Sequence, residues 1–227
     1  MPLMFMMAKF GTRKHMVALL DEGEVYYSPV RTFAKMYEPG VRRDGWEGAT
    51  RIWQKRHLTS FTIDKREFLP QLRGPLVQFI PQLAKFKGTH VFCLCHVTAE
   101  QIEAGERKIT SPRMSEFGDH AVIIRDTAEF NRRLTKAIKL PLREALSHGP
   151  IEYMPAHYSG EYHLFKKPVE YSWQREYRYT MRAPFETSKT IPVYVGSLRD
   201  IAHLVPLDRY QNHIDVNAEG VAEFHVS

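Results

Sequence analysis

Residues 165–179 read Phe165-Lys166-Lys167-Pro168-Val169-Glu170-Tyr171-Ser172-Trp173-Gln174-Arg175-Glu176-Tyr177-Arg178-Tyr179. The density of aromatic and β-branched residues predicts a strand. Side chains on a strand alternate with period two, so Gln174, Glu176 and Arg178 share one face while Arg175, Tyr177 and Tyr179 share the other. A strand that lines up an amide, a carboxylate and a guanidinium is either a solvated edge or the wall of a site. The fold must provide one or the other.

The rest of the chain sets the frame. Its 227 residues suit one domain, 1–227, able to bury about 70% of its unfolded surface. No apolar run approaches the roughly 18 residues needed to cross a bilayer. The apolar start, residues 1–10, has no basic segment before it and reads as a first strand rather than a signal peptide. Cys93 and Cys95 lie two apart in an apolar run. They share a strand face in a spacing poor for an intrachain disulfide, and His90 and His96 fall on the opposite face. Buried thiols in a reduced, cytoplasmic chain are the expectation. The net charge of +6 favours nucleic acid or a phosphate-bearing ligand among partners, although the basic residues look scattered along the sequence.

Residues 4–10 suggest a strand, and Thr12 can cap a helix over 13–22 that stops at Gly23. Residues 24–29 then read as a second strand, ended by Pro29. Residues 89–97 predict a buried strand, 99–105 a helical turn, and the residues after Phe117-Gly118-Asp119-His120 another strand. A helix over 126–146 follows, with Asp126 or Thr127 as cap and Pro141 as kink or stop. Residues 151–158 and 171–181 read as a strand pair, with further strands at 190–195 and 202–205. Many strands and few helices give an α+β domain around a split, mixed or antiparallel sheet.

Four segments carry candidate chemistry. Gln174-x-Glu176 could fix a carboxylate on a rigid strand to stabilise developing positive charge or to orient a hydroxyl. Tyr26-Tyr27-Ser28, at the end of the second strand, offers rings to stack on a flat ligand and a hydroxyl to bond it. Asp44-Gly45-Trp46-Glu47-Gly48 suits a tight loop beside a ligand. Asp119 and His120 are an acid–base pair only if their loop folds both inward. No Walker, G-x-G-x-x-G, G-x-S-x-G or H-E-x-x-H pattern occurs.

Together these phrases resemble a bacterial and phage family of uncharacterised domains. Its members carry a tyrosine-serine-proline strand end, a D-P-x-E-G-type loop, a central F-C strand and a late K-x-x-x-Y-x-x-[QE]-x-E-x-R strand. Here these are Tyr26–Phe33, Asp44–Gly48, Phe92–Cys95 and Lys167–Arg178. That arrangement is in turn similar to ADP-ribosyltransferases, and the resemblance implies an NAD-dependent enzyme, a toxin or phage-defence effector; the positive charge favours RNA or DNA over a protein as its acceptor. Glu176 would steady the oxocarbenium-like charge and Gln174 would orient the acceptor. Tyr27 would stack on a ring, Ser28 would support it, and Arg178 would add a contact to NAD. Lys9, where that superfamily has Arg or His, would touch phosphate or ribose, and Asp44 and Glu47 would lie beside the substrate. The alternatives are a non-catalytic nucleic-acid-binding protein, and a metal-dependent nuclease using Asp44, Glu47 and Asp119.

Overall fold

The structure is a computed structural model that describes residues 4–30, 32, 46–63, 65–71, 73–78, 88–104, 111–139, 146–183, 189–207, 215–216 and 222–223. An eight-stranded sheet organises it, built from β1 (Met4–Gly11), β2 (Glu24–Pro29), β3 (Thr89–Thr98), β4 (His120–Ile124), β5 (Ser147–Pro150), β6 (Glu176–Arg182), β7 (Ile191–Tyr194) and β8 (Ala202–Pro206). Every pairing in this sheet is antiparallel. Helices α1 (Arg13–Asp21), the short α2 (Ala99–Glu103) and α3 (Thr127–Ala137) accompany it. This is the α+β class expected, with a large antiparallel sheet.

The pairing register of β3 divides one of its edges. Cys95 pairs with both Ala8 of β1 and Glu176 of β6, so β1 and β6 lie on opposite edges of β3. Val91 likewise pairs with Ser28 of β2 and Thr180 of β6. β1 and β2 therefore share one edge of β3, β1 taking Cys95–Thr98 and β2 taking His90 and Val91. Between them, among the described residues, the backbone of residues 92–94 has no strand beside it on that edge. The sheet is split at its middle.

Alternation along the strands builds two apolar layers. On one face Met7, Phe92, Leu94, Val122, Ile124, Tyr177 and Tyr179 pack against Met16, Leu19 and Leu20 of α1 and Phe130 and Leu134 of α3. On the other, Met6, Ala8, Phe10, Cys95, Val97, Ala121 and Ile123 pack with Met114 and Val205. A smaller cluster of Ala49, Ile52, Met154 and Tyr162 lies under a three-stranded side sheet of Arg51–Trp53, Leu76–Gln78 and Gly160–Glu161.

Several expected elements come out differently. The stretch 165–179 is not one strand. Lys166–Pro168 is a short strand, Val169–Gln174 a 3-10 helix, and Arg175 takes a left-handed φ of 43° before β6 begins. Pro168 has no amide to donate to a ladder, so pairing stops there. On the edge away from β3, β6 pairs with β5, at 147–150, and not with 151–158. Glu152–Met154 instead runs parallel to Lys166–Pro168. α3 ends at Ala137, four residues before Pro141, whose ring would clash with the Ala137 carbonyl in a continuing helix. Asp126 caps α3 by accepting from the Glu129 amide at 2.8 Å. Thr12 makes no side-chain cap for α1. The Asp119 carboxylate does so from a distance, accepting from the Arg13 amide at 3.0 Å.

Gly118 makes that long-range cap possible. Its φ is 154°, and a Cβ there would lie 2.1 Å from the carbonyl carbon of Gly11. A Gly118→Ala variant is expected to lose more than about 2 kcal/mol of stability, from backbone strain and overpacking together. Urea denaturation followed by circular dichroism measures it, and an unchanged midpoint would show that this close approach does not matter.

Candidate functional site

A cavity of about 500 Å³ occupies the split. β1 contributes Lys9 and Phe10, α1 contributes His15, Met16 and Leu19, and β2 contributes Glu24, Tyr26 and Ser28. β3 contributes Val91 through Cys95, and the far wall holds Glu47, Lys167, Gln174, Glu176 and Arg178. Segments more than a hundred residues apart in sequence thus meet around one space.

The charged wall is a connected network. Arg178, 2% exposed, donates Nε to Glu176 Oε1 at 2.7 Å. Its two terminal nitrogens fork onto Glu47, at 2.7 Å to Oε1 and 3.0 Å to Oε2, and one also donates to the Leu164 carbonyl. Lys167 Nζ donates to the other Glu176 oxygen, Oε2, at 2.6 Å and to Gln174 Oε1 at 2.9 Å, and lies 5.4 Å from the centre of the Tyr171 ring. The Glu176 amide donates to the Tyr153 hydroxyl at 2.9 Å. Two carboxylates and two cations balance one another, which is the condition for burying charge at all.

Each charge in the network depends on the others. Burial works against the Glu176 carboxylate, but Arg178 and Lys167 outweigh it, and its pKa is held well below the usual carboxylate range. Burial also disfavours the Lys167 ammonium. The Glu176 charge, aided by that of Glu47, more than offsets this and raises its pKa. Arg178 is raised likewise, burial again being overcome by Glu176 and Glu47. Burial and the nearby Glu176 charge push the Cys93 thiol up to about 12, so it faces the cavity as a neutral S–H.

Lys9 sits in the split itself. Its ammonium donates to the Cys93 carbonyl at 2.7 Å and lies 4.9 Å from the centre of the Phe92 ring. It thereby serves a carbonyl on the stretch of β3 edge between the β1 and β2 pairings.

The residues singled out from the sequence fare unevenly. Lys9, Ser28, Glu47, Gln174, Glu176 and Arg178 all line the cavity. Tyr27 does not. It is 0% exposed and packs in the core 6.0 Å from Phe92, because strand alternation turns Tyr26 and Ser28 towards the cavity and Tyr27 away. Tyr26 takes the place intended for it. Asp44 lies outside the described residues. Asp119 is an exposed helix cap, and Glu47 is committed to Arg178, so those two do not form a shared site. Gln174 reaches Glu176 through a 3-10 helix and the left-handed turn at Arg175 rather than by alternation. Among the described residues no group of three or more His, Cys, Asp or Glu is placed to hold a metal ion.

Lys167 and Tyr153 are site residues that the sequence reading missed. The signal for Lys167 was present, since it heads the phrase K-x-x-x-Y-x-x-Q-x-E-x-R. All five side chains of that phrase, Lys167, Tyr171, Gln174, Glu176 and Arg178, belong to the network. Comparison with family models, with curated proteins and with solved structures finds no match to this chain.

Removing one partner from a buried ion network leaves an uncompensated charge. Arg178→Met is expected to cost about 3–5 kcal/mol, measured by urea denaturation at pH 7. The pH dependence has a definite sign. With its folded pKa depressed, Glu176 contributes stability that is fully present above the unfolded value of about 4.3 and is lost as pH falls below it. Glu176→Gln is therefore expected to be less stable at pH 7 and to lose less on acidification from pH 5 to pH 3 than the parent. Parallel acid limbs in melting temperature against pH would refute this.

Proposed function

We propose that the cavity in the split binds NAD and that the protein is an ADP-ribosyltransferase-like enzyme. The observation that supports this most is the meeting of three distant segments in one space. Lys9 comes from the first strand, Ser28 and Tyr26 from the second, and Gln174 and Glu176 from the approach to a late strand and its first residue. The resemblance drawn from the sequence assigns Lys9 to phosphate or ribose, Ser28 with Tyr27 to the ring, and Gln174 and Glu176 to the acceptor and the developing charge; Tyr26 stands where Tyr27 was expected.

The chemistry suits the wall. Transfer breaks the bond between ribose C1′ and the nicotinamide nitrogen, and nicotinamide leaves with the bonding electrons as a neutral ring. Positive charge develops on C1′ and the ring oxygen until an acceptor nucleophile bonds to C1′ and releases its proton. A carboxylate already ionised and fixed in place lowers the energy of that charge without reorganising. Glu176 meets this requirement, because Lys167 and Arg178 keep it ionised and hold one oxygen each. Gln174, tied to Lys167, stands beside it to orient a hydroxyl or the acceptor. Lys9 supplies positive charge for a phosphate, although as a point charge and not a planar fork. Tyr26, in place of Tyr27, offers a ring beside Ser28. A toxin or phage-defence effector is the setting that the resemblance implies for such an enzyme.

The nuclease alternative draws less support, since Asp119 is an exposed helix cap that does not line the cavity with Glu47. Incubation with nicotinamide-labelled NAD is the test. The expected outcome is release of nicotinamide, with Glu176→Gln lowering kcat by about 10²–10³. Lys9→Gln is expected to raise KM at nearly constant kcat, a change that loss of folding would not produce. No turnover and no rise in melting temperature on adding NAD would sink the reading.

A further inference from the structure

The positive charge is not spread evenly over the fold. Residues 51–73 carry six Lys or Arg against Asp64 and Glu67, a net of +4 in a chain whose total is +6. All six, Arg51, Lys55, Arg56, Lys65, Arg66 and Arg73, are exposed. They belong to one arm: the side-sheet strand Arg51–Trp53, the 3-10 turn Lys55–His57, the hairpin of Thr62–Ile63 and Arg66–Glu67, and the following turn.

The arm does not neutralise itself. Glu67 is turned onto its own backbone, one carboxylate oxygen accepting from the Phe61 amide at 3.0 Å and the Leu69 amide at 2.7 Å, which lowers its pKa. Arg51 reaches Glu161 at 3.2 Å, but both side chains are well exposed and such a pair is weak. Among the described residues Arg56, Lys65, Arg66 and Arg73 have no carboxylate partner. Lys65 takes a left-handed φ of 67° in the turn of the hairpin. Ile52 points into the small core, so Arg51 and Trp53 point outward together, with the Arg51 guanidinium 5.7 Å from the Trp53 ring. Cations with a flat ring among them suit a phosphate backbone with bases that can stack.

The arm is also held in place beside the cavity. The Gln54 amide donates to Ser159 Oγ at 2.8 Å, and His57 Nδ1 lies 2.7 Å from the same oxygen. Ile52 packs with Ala49, two residues from Glu47 in the cavity wall.

We infer that this arm is a nucleic-acid-binding surface that recognises the phosphate backbone without regard to sequence. That the bound strand is also the acceptor of ADP-ribose rests on the function proposed above; the binding itself does not.

Filter binding of the full chain to single-stranded RNA and DNA of about 20 nucleotides, without NAD, tests it. Affinity should fall as salt rises, by about 0.7 in log–log slope for each phosphate contact. The arm variant Arg56→Gln/Lys65→Gln/Arg66→Gln/Arg73→Gln should bind at least about tenfold more weakly at 0.1 M salt and lose about 2–3 from the slope. A control with the same charge change elsewhere on the exposed surface, Arg13→Gln/Lys14→Gln/Arg125→Gln/Lys139→Gln, should lose less than about threefold. Unchanged circular dichroism keeps both comparisons valid. Equal losses in the two variants, no binding by the parent, or equally tight arm-dependent binding to anionic phospholipid vesicles would each overturn the inference. Nicotinamide release without nucleic acid reports separately on the enzyme reading, so the two can fail independently.

Discussion

Along one edge of β3, Ala8 pairs with Cys95 and Ser28 pairs with Val91, and among the described residues the backbone between has no strand beside it. An open edge inside a sheet exposes amides and carbonyls that water, a side chain or a ligand must satisfy. Lys9 answers part of this need by donating to the Cys93 carbonyl. The diverging ends of β1 and β2 leave the volume that becomes the cavity, and α1, which links them, closes it with Met16 and Leu19. Fold and candidate site are thus one consequence of how a single strand edge is divided.

The opposite wall depends on Arg178. Its guanidinium joins β6, through Glu176, to the segment under the side sheet, through Glu47. The bidentate fork is a geometry that a lysine could not reproduce. Lys167 completes the charge balance, and because it precedes the 3-10 helix while Glu176 follows it, their bond closes that helix into a loop. The same contacts hold the Glu176 carboxylate ionised and fixed. The chemistry proposed for Glu176 would therefore draw on the same side chains that hold the wall together.

Much of the sheet was legible in the sequence. β3 carries the apolar run Val91–Cys95, which supplies both faces, and reads as a buried strand; β1, β2 and β7 carry period-two or short apolar runs; the cap at Asp126 marks the start of α3. Errors gathered where backbone geometry departs from simple periodicity. The run 165–179 has strand composition, but Pro168 and the left-handed Arg175 divide it. Tyr27 and Tyr26 are alike as residues, and only the register of β2 against β3 and β7 decides which one faces the cavity. The cap of α1 comes from Asp119, a hundred residues away, and no local rule could find it.

By itself the sequence determined the residue types available, the α+β class, and the late phrase from Lys167 to Arg178, whose charged members cannot be buried unless they pair. It also left residues 51–73 with a net charge of +4. The tertiary structure alone decided that the phrase is an interior wall and not a solvated edge, that Lys9 sits across the cavity from it, and that Glu47 supplies the second carboxylate. The physical reason is common to all three. A charge becomes buried only when a partner arrives from elsewhere in the chain, and which segments meet is set by strand pairing over distances that periodicity and propensity do not encode.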